Sequence, residues 1–216
     1  MPIFFIIQLA MTFSLMTIFV LVYEYGIEPF GFHPTFTFVL ALFCTYIISI
    51  LVLASLNKIA RIAMKTKEGK ITGMGLFLWV IQETSLDIAL NLSHKFMIHT
   101  PTPDLLYRLF GFKLRKGVSI LTRLWDPDLL DVGENTLVGT DAVISGHFIK
   151  DGILYRKGVK IGKNVTIGAR CTLGVGAVVG DNTIIAYGST VPPNAVLDPN
   201  CFYSGVPVKK IKTFDT

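Results

Sequence analysis

His147 is the only histidine in the second half of this 216-residue chain, and its neighbourhood is the part of the sequence best suited to chemistry. An imidazole with an unperturbed pKa of about 6.5 takes a proton from a hydroxyl or an amine near neutral pH and turns it into a nucleophile. His147 closes the run Ser145-Gly146-His147 and is followed by FIKDGILYRKGVK, a charged stretch. Asp151 in that stretch is a candidate to orient the imidazole; a solvated loop carboxylate is the alternative. Asp126, Asp128 and Asp131 of DPDLLD either line the same mouth, bind a cation, or serve as turn and cap residues, which is the commoner use.

The element that must position His147 is a repeat. Written in sixes the sequence gives IGKNVT, IGARCT, LGVGAV, VGDNTI, IAYGST, VPPNAV and LDPNCF, led by Ile161, Ile167, Leu173, Val179, Ile185, Val191 and Leu197. The second place holds Gly162, Gly168, Gly174, Gly180 and Ala186, and the fifth is small or β-branched throughout, from Val165 to Cys201. The frame reaches upstream to Val132, Val138 and Ile144, with weaker starts at Leu114 and Ile120. One large and one small inward residue in every six suits short parallel strands coiled as a prism, three sixes to an 18-residue coil. A sandwich of alternating strands would not keep this register over seven consecutive sixes. About ten sixes make a thin core, so packing between subunits is expected to contribute to stability. The register fails once: Ile144 and Ile161 are 17 apart, one short of three sixes, so residues 148–160 leave the coil with His147 at their root.

This pattern resembles the left-handed β-helix of hexapeptide-repeat acyltransferases over about residues 110–212. FYSGVPVKKIK looks like that family's closing segment. LLYRLFGFKLRKGVSILTRLWDPDLLDVGENTLVG, preceded by hydrophobic segments, is similar to the membrane-attached β-helix region at the carboxyl end of poly-lysine-synthetase-type nonribosomal peptide synthetases. The resemblance implies a homotrimer, an acyl-coenzyme A co-substrate lying between neighbouring prisms, and His147 as general base for attack on the thioester. It further implies that backbone near Gly168 and Ala186 approaches the pantetheine arm and that Lys209 and Lys210 meet the 3′-phosphate, the alternative being that both lysines are merely solvated. The chain departs from the family at Pro192 and Pro193, where a Thr-Lys pair is frequent, and at Thr166, where a bulky aromatic stands.

No metal is expected. A zinc enzyme of the carbonic-anhydrase type also uses this prism, but it needs three imidazoles or equivalents and His147 stands alone. His94 and His99 are five apart, a poor spacing for one helical face. Cys171 and Cys201 are 30 apart, which is not a multiple of 18, and Cys44 falls in an apolar run, so neither cysteine catalysis nor a disulfide is implied.

The chain is 51% hydrophobic and only 16% charged, and residues 1–56 contain Glu24 and Glu28 but no Lys or Arg. All 20 basic residues and the other 13 acidic ones follow, so that part carries 20 − 13 = +7. Residues 3–23 and 36–56 are each 21 residues of apolar sequence, enough to cross the roughly 30 Å hydrocarbon core as helices. A short linker rich in Gly, Pro and aromatics joins them, and Lys58, Arg61, Lys65, Lys67 and Lys70 follow the second, which by the positive-inside tendency places the remainder in the cytoplasm. A cleaved signal peptide is disfavoured because the first run lacks a basic n-region and a second span follows. Residues 71–112 read as one or two helices lying in the interface, Glu83 and Asp87 arguing against a third span.

The expected organisation is a transmembrane hairpin over 1–57, a basic interfacial region over 58–112, a left-handed parallel β-helix over 113–204 with its loop at 148–160, and a tail over 205–216. The expected activity is transfer of an acyl group, such as acetyl, from acyl-coenzyme A to an amine or hydroxyl of an amphiphilic or lipid-linked acceptor at the bilayer. The competing reading is a non-enzymatic trimeric membrane scaffold or lipid-binding platform. Nucleic-acid binding is disfavoured because bases alternate with acids along the coil and no aromatic-basic motif appears.

Overall fold

Two proline-started helices open the chain. α1 (Pro2–Leu21) runs on through a π-helical turn at Val22–Ile27 and a 3-10 turn at Glu28–Phe30, which Gly31 ends in the left-handed region that glycine adopts without penalty. α2 (Pro34–Ala63) begins with Pro34 in its first turn, where a missing N–H costs nothing. In this computed structural model, which describes residues 2–64, 68–97, 102–113 and 115–214, Leu9–Phe30 and Pro34–Ala63 are long and apolar enough to cross a membrane. Their outward side chains are bare: Phe43 is 62% and Ile62 73% exposed. α2 continues past the expected boundary at residue 56 through Lys58 and Arg61, and Arg61 in its last turn suits the negative end of a helix dipole.

The chain divides into two compact units, Met1–Met64 with Phe77–Phe96, and Lys65–Leu76 with Met97–Thr216. The segment expected at the interface, residues 71–112, begins with a 24-residue helix, α3 (Met74–Met97), most of which belongs to the first unit. It does not present one buried face: Gln82, Glu83, Thr84, Ser85 and Leu86, which turn through more than a full circle, are all buried. Its polar groups bond to α2, the Asn57 amide donating to the Gln82 carbonyl at 2.8 Å and Tyr46 Oη meeting Ser93 Oγ at 3.0 Å. His99, Leu114 and the His94 side chain lie outside the described residues.

The second unit is the prism, preceded by β1 (Gly69–Ile71) and α4 (Thr102–Leu109). Its strands are β2 (Ser119–Ile120), β3 (Leu130–Val132), β4 (Leu137–Val138), β5 (Val143–Ile144), β6 (His147–Lys150), β7 (Ile153–Arg156), β8 (Val159–Ile161), β9 (Thr166–Ile167), β10 (Thr172–Leu173), β11 (Val178–Val179), β12 (Ile184–Ile185), β13 (Thr190–Val191), β14 (Val196–Leu197), β15 (Cys201–Gly205) and β16 (Val208–Thr213). The chain visits three parallel sheets in turn: a first face of β2, β4, β9, β12 and β15, a second of β5, β10 and β13, and a third of β3, β8, β11 and β14. Every leader from Ile120 to Leu197 is buried, so the aliphatic ladders form the core. The second-place glycines are needed for stacking: a Cβ on Gly168 would stand 2.6 Å from the backbone nitrogen of Tyr187 in the next coil.

The fourth place of each six carries the turn. Asn135, Asp141, Asn164, Arg170, Gly176, Asn182, Gly188, Asn194 and Asn200 all have positive φ, six apart except across the excursion. Asn164, Asn182 and Asn200 stack at one corner and pass a hydrogen bond from coil to coil at 3.0 and 2.8 Å. α4 was expected in a lipid interface, but Leu106, Tyr107, Phe110 and Phe112 are buried, and the Tyr107 hydroxyl donates to the Thr122 carbonyl and accepts from the Leu124 N–H. These side chains close one end of the stack, and at the other β16 pairs antiparallel with β15, covering the last edge of the first face.

Candidate active site

The excursion is a hairpin. β6 and β7 pair antiparallel, with Asp151 and Gly152 at the tip, and β1 adds as a third antiparallel strand beside β7. Ladder spacing gives its size: Val138 and Ile167 are 29 apart where neighbouring coils are 18 apart, so 11 residues are inserted at the corner between the second and third faces.

A second departure lies beneath it at the same corner. Leu124 bridges Ile144, and Val132 pairs with Ile161, so this step takes eight residues in place of six. The two extra residues swing Asp126 into a left-handed conformation, φ 50°, followed by a 3-10 turn over Pro127–Leu129. That turn buries the Asp126 side chain completely and points it at His147, whose Nδ1 lies 2.5 Å from Asp126 Oδ2. Gly146 permits the approach, since a Cβ there would press on Cβ of Asp126 and of Leu129 at 3.1 Å.

Arg156 completes the arrangement. The hairpin register sets it opposite His147, its side chain is fully buried, and its Nε donates to Asp126 Oδ1 at 3.1 Å while Nη2 donates to Asp128 Oδ1 at 2.9 Å. Buried carboxylates are tolerable only when paired in this way. Asp126 thus divides its two oxygens between a permanent cation and the imidazole. With Nδ1–H donating to the carboxylate, Nε2 keeps its lone pair and its direction is fixed. The His147 side chain retains 18% exposure, beside the Trp125 ring set edge-on at 6.2 Å; the Arg123 guanidinium covers Trp125 at 4.1 Å. An oriented, partly exposed imidazole backed by an ionised carboxylate is equipped to accept a proton from a bound nucleophile.

The other expected residues are placed elsewhere. Asp151 is exposed at the hairpin tip, four strand residues from His147 and so about 13 Å away, too far to orient its ring. The N–H groups of Gly168 and Ala186 are occupied by Ile185 and Tyr203 carbonyls of the next coil, at 2.8 and 2.9 Å, so they are not spare donors for pantetheine. Both residues lie at the corner between the first and second faces, and Lys209 and Lys210 on β16 beside the first; a single chain does not bring them to His147. Lys210 is held by Asp198 at 2.9 Å, a hydrogen bond that raises its pKa, whereas Lys209 is exposed. Asp131 pairs with Arg115 at 2.6 Å. Cys171 and Cys201 are buried at different corners, and burial pushes the Cys171 thiol up. Among the described residues no group of three His, Cys, Asp or Glu side chains could hold a metal ion.

The sequence offers Asp126 as lining the mouth, as a cation ligand or, more commonly, as a turn residue, and does not single out Arg156. A signal for Asp126 was present: Ile120 and Val132 are 12 apart, two sixes, which assigns Asp126 a leader position that is otherwise aliphatic. A carboxylate in a ladder of Ile, Leu and Val is either an error of register or a buried partner for something charged.

Residues 158–193 match the family described as bacterial transferase hexapeptide, six repeats. Among the curated proteins none matches the chain. Two solved structures share the fold: a maltose O-acetyltransferase from Clostridium difficile 630, 20% identical with a TM-score of 0.51 over 64% of this chain and 89% of that one, and a hexapeptide-repeat containing acetyltransferase from Vibrio cholerae, 15% identical with a TM-score of 0.53 over 68% and 97%. A galactoside acetyltransferase in complex with coenzyme A is also similar, 20% identical with a TM-score of 0.47 over 65% and 83%. The prism therefore carries the bacterial transferase hexapeptide repeat, which implies a left-handed β-helix, in the fold shared with these acetyltransferases.

Proposed function

We propose that the protein is a membrane-anchored acyltransferase that uses acyl-coenzyme A, with His147 as general base and Asp126 as its orienting carboxylate. The observation that carries this reading is the His147–Asp126 contact at the root of the hairpin, built by an inserted hairpin and a bulged step at one corner. In the reaction, Nε2 takes the proton of the acceptor amine or hydroxyl as its N or O attacks the thioester carbonyl carbon. The tetrahedral intermediate collapses, the C–S bond breaks, and the imidazolium returns its proton to the departing thiolate, giving the acylated acceptor and free coenzyme thiol. Asp126 stabilises the imidazolium, and Arg156 keeps Asp126 ionised and in place.

The repeat match and the acetyltransferases of like fold support the transferase class. A homotrimer would set the broken corner of one prism against its neighbour and so bring Lys209, Gly168 and Ala186 of another copy within reach of the coenzyme. The two apolar helices support attachment to a bilayer as a hairpin, with the prism on the cytoplasmic side by the lysines and arginine that follow the apolar run of residues 36–56, and hence an amphiphilic or lipid-linked acceptor. The similarity to membrane-attached β-helix regions of poly-lysine-synthetase-type enzymes is part of this proposal.

The test is to incubate the purified protein and its His147→Ala variant with labelled acyl-coenzyme A and a membrane extract, then measure free thiol and labelled product. Turnover by the native protein and its loss in the variant is the expected result. Equal turnover by both would remove His147 from the mechanism, and neither turnover nor coenzyme binding by either form would favour the scaffold reading.

A further inference from the structure

A concavity adjoins this corner on the third face. It measures about 620 Å³, within the range of small-molecule sites. Its walls are apolar at Leu129, Leu130, Val178 and Val196 and carry Lys113, Arg115, Lys157 and Lys160. Three carboxylates share those walls: Glu68, Asp128 and Asp131. Two are already matched, Asp131 by Arg115 and Asp128 by the buried Arg156. Of the remaining lysines of these walls, Lys160 stands opposite Asp131 in the ladder, and the walls hold one further carboxylate, Glu68. Lys157 Nζ is steadied by Asn194 Oδ1 at 2.5 Å, a neutral partner that leaves the charge in place. The groove also adjoins the catalytic strand: the Lys157 N–H donates to the Gly146 carbonyl at 2.8 Å, one residue before His147, and Leu129 touches the position where Gly146 meets Asp126.

We propose that this groove binds the polar head of the acceptor, and that this head is a zwitterion: an amine with one phosphate or carboxylate group. The anionic group meets Lys113 and Lys160, charge-assisted partners of roughly twice the strength of neutral ones, and the ammonium is drawn to Glu68. A polyphosphate tail is a poor match, because Glu68 stands among the lysines and like charges repel. This inference rests on the acyl-transfer reading and names the substrate class of that site.

The test uses the full chain in detergent with O-phosphoethanolamine as the probe, measured by titration calorimetry beside inorganic phosphate and coenzyme A. Native protein is expected to bind the probe; Lys113→Gln with Lys160→Gln weakens it at least about tenfold, the cost of losing charge-assisted contacts. Lys150→Gln, at the exposed hairpin tip, leaves it unchanged. Glu68→Gln weakens the probe but not inorganic phosphate, and coenzyme A affinity stays within about twofold in every variant. The proposal is overturned if the native protein does not bind the probe, if the double variant binds it equally well, or if coenzyme A affinity falls in step with the probe, which would make the groove the coenzyme's seat. Circular dichroism of each variant separates these outcomes from misfolding. Failure of the acyl-transfer reading shows separately, as equal thiol release by native and His147→Ala protein.

Discussion

The coils that follow the hairpin and the corner beneath it are built from the same repeat by opposite means. From Val159 onward the sixes repeat a buried aliphatic leader, a small inward residue and a left-handed residue at the turn, with a glycine or alanine in the second place through Ala186 where the next backbone passes. Nothing ionic is buried there. At the corner around Asp126 and His147 the repeat is stretched twice, by two residues in one coil and 11 in the next, and the space so made holds Asp126, Asp128, Arg156 and His147. The regular part derives its stability from apolar ladders, whereas the irregular part gives up ladder positions to hold charged groups in one geometry. Regularity serves as scaffold, and departures from it create the room and the polarity that chemistry needs.

The sharpest way to break this contrast is at Asp126. Asp126→Asn is expected to lower turnover by about 10²- to 10⁴-fold, because the amide neither holds the Nδ1 tautomer nor stabilises the imidazolium. Asp151→Asn should leave turnover within about twofold; steady-state thiol release measures both. Stability is hit hardest at Arg156, where Arg156→Met strands two carboxylates and costs about 3–5 kcal/mol in urea unfolding. Ile185→Ala in the regular coils opens a cavity in the ladder, with a cost of about 2–5 kcal/mol, yet turnover per folded molecule is unchanged. A smaller effect separates Asn182→Ala from Asn182→Gly: both lose the corner hydrogen bonds, but only alanine must hold φ near 55°, so it is less stable than glycine by about 1 kcal/mol. Slightest of all is reactivity at Cys171. Its raised pKa means less thiolate at any given pH, so alkylation at pH 8 is slow in the native protein and speeds up on unfolding, as mass spectrometry can follow.

The leaders were legible because every coil places them in the same environment, so a period emerges from the letters alone. The turn positions were equally present, as Asn, Asp, Arg or Gly at every fourth place, and required only the thought that each corner needs positive φ. β1 was not legible: Gly69, Lys70 and Ile71 show no alternation, and what makes them a strand is the free edge of β7, over 80 residues away. Asp126 was hidden for another reason. Ile120 and Val132 keep perfect register, while the steps between them are four and eight, so the bulge cancels in the count. Asp151 attracted notice through proximity in sequence, which a hairpin converts into distance. The helical half shows the same limit, since hydropathy marked α1 and α2 but the burial of Gln82 and Glu83 in α3 depends on partners such as Asn57.

The most direct test of the central claim is a double-mutant cycle on turnover, comparing His147→Ala, Asp126→Asn and the two together. Because Asp126 is held to act through the imidazole, the double variant should be slower than His147→Ala alone by less than about threefold. If the two losses instead multiply, Asp126 acts independently of His147, and the pair at this corner is not the unit that carries the reaction.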